Sequence, residues 1–315
     1  MTEQTNHKRD IRVIALDIDG TILDSKHALT PRVEQAIKAA AAKGIQIVLA
    51  TGKTRHSTVQ LVEQLGIKAP AVYLQGLAIY DEDNKISHQW KLDLAVARQV
   101  ITFAEDRGFV VVGFCEDRIL ARNYDEKLKE GFSNYHEMSP EIVGPLQNIL
   151  REIPVNKLIV MGDPKAIKAL RWQLDLQLGG KARTMQAGVP WMVEILPPGT
   201  SKGIALKQLL KDMKINPENV LAVGDAENDI EMIQLAGVGV AMGQAAQNVK
   251  DAADWVSKTC DEDGVAIAIE RFALTEPETA KAESSVSPSE PAVVIEPTAA
   301  VTPAPEALEK GKSES

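Results

Sequence analysis

At 315 residues the chain exceeds one typical domain, so two folded units or one core with a large insertion are expected, and its 44% hydrophobic content is that of a globular protein. No run of about eighteen apolar residues occurs, the opening MTEQTNHKRD lacks an apolar centre, and Cys115 and Cys260 stand far apart. These features argue against a membrane span, a secretory signal, a disulfide framework and a structural zinc site, and favour the cytoplasm. Of the net charge of −9, the stretch from Ala273 onward contributes −5, with eight Glu against three Lys, which argues against a nucleic-acid footprint.

The first elements alternate strand and helix. RVIALD (12–17) reads as a strand, and Thr30-Pro31 then supplies an N-cap and a first-turn proline for a helix running to Gly44. IQIVLAT (45–51) is the next strand, TRHSTVQLVEQLG (54–66) a helix stopped by Gly66, and APAVYLQG (69–76) a third strand. This is β-α-β-α-β at the spacing of parallel crossovers. From Asn84 to Pro197 the chain carries its own strands, FVVVGF, DRILAR, NKLIVMG and WMVEIL, with helices around Leu94–Asp106 and Pro164–Leu176.

A second α/β series follows. TSKGIALKQLLKDM spaces Leu206, Leu209, Leu210 and Met213 as one helix face, and the strand NVLAVGD, the helix ENDIEMIQLAG and the strand VGVAMG come next. The expected architecture is a doubly wound, Rossmann-like parallel sheet core of residues 9–83 and 198–272 with an inserted α/β cap of 84–197. Residues 273–315 hold six prolines and no aromatic residue beyond Phe272, and are expected to form a disordered tail.

The polar residues sit where such a sheet binds ligands. Asp17, Thr51 and Asp225 end three apolar strands, and ligands of open parallel sheets lie just beyond the carboxyl ends of the strands. Asp17 and Asp19 lean to one side of an extended chain and repel unless a cation separates them. Asp225 and Asp229 share a helix face. Lys202 opposes the dipole in the first turn of its helix, which favours an anion nearby. Gathered carboxylates beside an open phosphate position call for a hard divalent cation, magnesium. A cation on Asp17 and Asp225, the Thr51 hydroxyl and the Lys202 ammonium would surround a phosphoryl group and leave one carboxylate in line for attack, with Asp19 as acid and base.

Two rival motifs fail. ATGKT lacks a P-loop because Ile47 stands where that loop has glycine, and Gly237, Gly239 and Gly243 surround a strand instead of leading from one into a helix.

Asp17-Ile18-Asp19-Gly20-Thr21, Thr51 in LATGK, Lys202 in TSKG, and GDAENDIEM, in this order and with a large insertion, resemble the four motifs of haloacid dehalogenase superfamily phosphohydrolases of the Cof-like branch, over about Arg12 to Phe272. The resemblance implies that Asp17 is nucleophile and magnesium ligand, and that Asp19 is the acid/base and lends the metal its backbone carbonyl. It further implies that Asp225 is the third ligand, that Thr51, Lys202 and Asn228 bind phosphate oxygens, and that Asp229 supports the metal from behind. Lys53, Ala226 and Gln75 depart from the common pattern. The implied function is magnesium-dependent hydrolysis of a small phosphorylated metabolite, a sugar phosphate or similar, through an aspartyl-phosphate. The alternatives are a phosphomutase or phosphotransferase of the same fold, or a non-catalytic phosphate-ligand sensor. Arg118, Arg122, Lys157, Arg183 and Trp191 are candidate substrate contacts, with solvated or core roles equally open.

Overall fold

The computed structural model describes residues 10–124, 128–129, 132, 137–186 and 189–275. Six strands of the first sheet are parallel: β1 (Val13–Leu16), β2 (Gln46–Ala50), β3 (Ala71–Tyr73), β12 (Val220–Gly224), β13 (Val238–Ala241) and β14 (Trp255–Val256), in the order β14-β13-β12-β1-β2-β3. Strand period two divides their side chains between two cores. Ile14, Leu16, Ile47 and Leu49 pack with Val33, Ala36, Ile37 and Ala40 of the helix Pro31–Ala42. Val13, Ala15, Val48 and Ala50 pack with Ala205, Leu206, Leu209 and Leu210 of the helix Lys202–Asp212. The first of these helices starts as its sequence requires, with Thr30 Oγ1 accepting the N–H of Val33 and Pro31 in the first turn.

The sheet extends further than expected. Strands β4 (Ala78–Tyr80) and β5 (Ile86–Gln89) join its β3 edge antiparallel, although β5 falls within the range 84–197 read as insertion. The connections are too short for parallel crossovers and form hairpins instead. Asp81 folds the second one, its Oδ1 accepting the N–H groups of Asp83 and Lys85.

A second sheet has the order β10-β11-β9-β6-β7-β8, from β6 (Val110–Cys115), β7 (Arg118–Ala121), β8 (Glu141–Ile142), β9 (Lys157–Met161), β10 (Arg183–Gln186) and β11 (Met192–Leu196). Val111, Leu158, Val160, Val193 and Ile195 face the helices Leu94–Glu105 and Pro164–Leu178, where they meet Val100, Ile101, Ile167 and Leu174. The alternate residues of these strands include Phe114, Lys157, Ile159, Met192 and Glu194, and they line a cavity shared with the first sheet.

The chain end differs from expectation at the start of the expected tail. Ala273 and Leu274 pack against the first core beside Phe272, and the Leu274 carbonyl accepts from Lys43 Nζ at 2.8 Å. The remainder of the expected tail, residues 276–315, lies outside the described residues. No helix among the described residues is long and apolar enough to cross a membrane.

Candidate active site

Parallel register sets β1, β2 and β12 side by side, so the residues that follow them, Asp17, Thr51 and Asp225, emerge at one edge. The chain beyond β1 turns sharply at Gly20, whose φ is +75°. A Cβ there would lie 2.5 Å from Asp225 Oδ2, so a side chain at this position strains the turn and displaces the Asp225 carboxylate. The loop 74–76 is held equally close. Leu74, Gln75 and Gly76 all have positive φ, and a Cβ on Gly76 would lie 2.2 Å from the Ser201 carbonyl oxygen. That approach brings Gln75 to Asn228, whose Nδ2 donates to Gln75 Oε1 at 2.7 Å.

Lys202 begins the helix capped by Ser201, whose Oγ accepts the Ile204 N–H. Its ammonium donates to Asp17 Oδ1 at 2.6 Å and Asp229 Oδ1 at 2.7 Å, and all three residues are buried. The two carboxylates offset what a cation costs at this end of a helix dipole. Asp229 Oδ2 accepts the backbone N–H groups of Asp225 and Ala226, both at 3.1 Å.

The charges are unbalanced. Carboxylate oxygens of Asp17, Asp225 and Asp229 lie within 4.8 Å of one another, and Lys202 bonds two of them. Burial pushes Asp17 well above the usual carboxylate range against the pull of Lys202, with Asp229 and Asp225 adding to the rise. Asp225 is pushed up to about 6 by burial and by Asp229. Burial would lower Lys202, but Asp17 and Asp229 outweigh it and hold the ammonium protonated. Excess buried negative charge on three convergent oxygen donors is the chemistry of a site for a small hard cation, so the residues fit magnesium.

Asp19 stands apart from this cluster and is more exposed, with its Oδ2 3.3 Å from Lys53 Nζ and its Oδ1 3.4 Å from His27 Nδ1. Thr51 is buried, and its Oγ1 accepts the Lys53 N–H at 3.2 Å. Asp17, Asp19, Thr51, Lys202, Asp225 and Asn228 all line one cavity of about 790 Å³, with Asp229 behind them.

The second sheet closes that cavity. Lys157 Nζ donates to the Gly52 carbonyl at 3.3 Å and to Glu194 Oε1 at 3.2 Å. Glu137 accepts from the Thr54 N–H, the Thr54 hydroxyl and the Ser57 hydroxyl, and Arg55 Nε donates to Asp117 Oδ2. The loop after Thr51 is thus held by Lys157 of β9, by Asp117 in the turn between β6 and β7, and by Glu137. Of the five candidate contacts from that region, Lys157 lines the cavity. Arg118 pairs with Glu141, Arg122 with Glu105, and Arg183 donates to the Thr200 carbonyl; these three and Trp191 lie off its wall. Sequence reasoning missed Glu194 and Glu137. A signal for Glu194 was present, because an acid inside the apolar run WMVEIL requires a buried partner.

The profile of the haloacid dehalogenase-like hydrolase family matches residues 14–269. A chloroplastic endoribonuclease YBEY of Arabidopsis thaliana is 33% identical over 279 residues, 85% of this chain and 47% of that protein, so the chain spans about half the length of this relative. The 5-amino-6-(5-phospho-D-ribitylamino)uracil phosphatase YcsE of Bacillus subtilis is 29% identical over 274 residues, 84% of this chain and 97% of its own. A crystal structure of a haloacid dehalogenase-like hydrolase from Bacteroides thetaiotaomicron superposes with a TM-score of 0.76 at 29% identity, covering 83% of this chain and 99% of that one.

Proposed function

The chain belongs to the haloacid dehalogenase-like hydrolases, in the Cof-like branch with an α/β cap, and from that premise we propose that it is a magnesium-dependent phosphatase acting on a small phosphorylated metabolite through an aspartyl-phosphate on Asp17. The observation that carries this reading is the Lys202 ammonium held between Asp17 and Asp229 at the floor of a cavity with surplus buried carboxylate. The named substrate of the Bacillus relative, a phosphorylated ribitylamino compound, and a cavity within the usual size of small-ligand sites support a metabolite-sized phosphomonoester.

The residues divide the work by position. Asp17 attacks phosphorus and forms the acyl phosphate as the ester oxygen departs, and Asp19 gives that oxygen its proton. Asp19 then takes a proton from water, which attacks phosphorus, releases inorganic phosphate and restores Asp17. Lys202, Thr51 and Asn228 hold the phosphoryl oxygens as charge redistributes, and Gln75 orients the Asn228 amide. Asp17, Asp225 and the Asp19 backbone carbonyl would hold the magnesium, with Asp229 fixing Asp225 and Lys202 from behind. When bound, the ion neutralises phosphate charge and lets Asp17 approach as an anion.

The test is release of inorganic phosphate from p-nitrophenyl phosphate. Activity is expected with magnesium and absent with a chelator. A protein that binds magnesium yet releases no phosphate from any of a panel of phosphorylated metabolites overturns the reading.

A further inference from the structure

Glu194 is an acid placed in the middle of a buried strand, 5% exposed, on the cavity side of β11. Its Oε1 accepts from Lys157, while Oε2 is sealed from solvent and has no hydrogen-bond partner among the described residues. A buried carboxylate oxygen without a donor is costly, and such groups in native proteins call for an explanation. Lys157 does not supply the missing donor. Its ammonium is already shared between Glu194 Oε1 and the Gly52 carbonyl, and it lies 4.7 Å from the centre of the Phe114 ring. The last torsion of a glutamate is broad, so a ligand donor in the cavity that the side chain lines needs only a turn of the carboxylate to meet an oxygen of Glu194.

The place matters as much as the vacancy of the bond. Glu194 Oε1 and the Gly52 carbonyl sit on one ammonium, so the carboxylate is a single lysine head away from the loop that carries Thr51. A group esterified to a phosphate held at Thr51 and Lys202 therefore passes beside Glu194. An anionic leaving group would meet a carboxylate there, and a cationic one would meet Lys157. A neutral donor meets neither penalty, and Phe114, Ile159 and Met192 supply apolar surface next to it.

We propose that Glu194 is a specificity-determining residue, which accepts a hydrogen bond from a hydroxyl of the leaving group and so selects polyol or sugar phosphates over phosphomonoesters without hydroxyls. This rests on the phosphatase reading above. A site built around an unpaired acceptor rejects the analogue that lacks the donor more strongly than it rejects a change of size.

The experiment compares two six-carbon substrates, sorbitol 6-phosphate and n-hexyl phosphate, in the full chain with magnesium, alongside p-nitrophenyl phosphate. Wild type is expected to favour sorbitol 6-phosphate in kcat/KM by at least about tenfold. Glu194→Met removes both acceptor oxygens while filling similar space, and it should reduce that preference to less than about threefold. The double variant Lys157→Met/Glu194→Leu removes the ion pair as a unit and should lose the preference in the same way, so a folding defect of one variant does not decide the matter. Hydrolysis of p-nitrophenyl phosphate without any hydroxyl preference in wild type, or a preference that survives both variants, overturns the assignment of Glu194 alone. Failure of wild type to hydrolyse any of the three overturns the phosphatase reading and this inference with it.

Discussion

Lys202 Nζ lies 2.6 Å from Asp17 Oδ1, joining two residues 185 positions apart in the sequence and both buried from solvent. The same ammonium reaches Asp229 at 2.7 Å, so one cation serves two carboxylates while Asp225 stands beside them. The electrostatics of the site follow from this shortage of positive charge.

Removing the lysine should destabilise the fold as well as stop turnover. Lys202→Met leaves buried carboxylates without their partner, and the expected loss at neutral pH is about 3–5 kcal/mol. Urea unfolding monitored by circular dichroism measures it. The deficit should shrink as the pH falls and Asp17 takes up a proton; a deficit that is the same at pH 5 and pH 8 would exclude the ion pair as its source.

Asp17 and Asp19 should fail in different ways. Asp17→Asn abolishes phosphate release and leaves the melting curve close to that of wild type, because burial and two neighbouring acids already oppose its charge. Asp19→Asn loses about 10²–10⁴-fold in turnover of alkyl phosphates, whose leaving oxygen needs a proton. With p-nitrophenyl phosphate, whose leaving group departs without one, Asp19→Asn should give a burst of p-nitrophenol followed by a slow steady state. Rapid-mixing absorbance records the burst, and its absence would remove Asp19 from the second step.

Protons and magnesium should compete at Asp225. Its folded value of about 6 stands above the ordinary carboxylate value near 3.9, so the folded apo-protein holds this proton more tightly than the unfolded chain does. The group's contribution to stability is therefore present at low pH and is lost as the pH rises from about 4 to about 6. Magnesium needs the ionised form, so the rise in melting temperature on adding magnesium should be large at pH 7.5 and shrink below about pH 6. An equal rise at pH 5 and pH 7.5 contradicts this.

Two glycines separate backbone strain from site geometry. Gly20 and Gly44 both have positive φ, but a Cβ meets Asp225 Oδ2 at 2.5 Å in the first case and nothing within 4 Å in the second. Gly44→Ala is expected to cost about 1 kcal/mol with no change in magnesium dependence. Gly20→Ala should add to that cost and raise the magnesium concentration for half-activity by about tenfold, as read from metal titrations of the two variants. Equal titrations would show that Asp225 tolerates the displacement.

Much of this arrangement is legible along the chain. The apolar runs ending at Asp17, Thr51 and Asp225 announce buried strands with polar ends, and Thr30-Pro31 announces a helix start, because period, capping and proline geometry act over a few residues. Lys202 in a first turn signals a nearby anion on the same local ground. What tertiary structure decided is which charge meets which: that Asp229 both bonds Lys202 and caps Asp225, that Asp19 lies beside Lys53 and His27, that β5 belongs to the first sheet, and that Glu194 faces the cavity with one oxygen unanswered. A local pattern states that a residue is buried or charged. The compensation of a buried charge depends on groups that the fold brings from 27 to 185 residues away, and no local pattern encodes that distance.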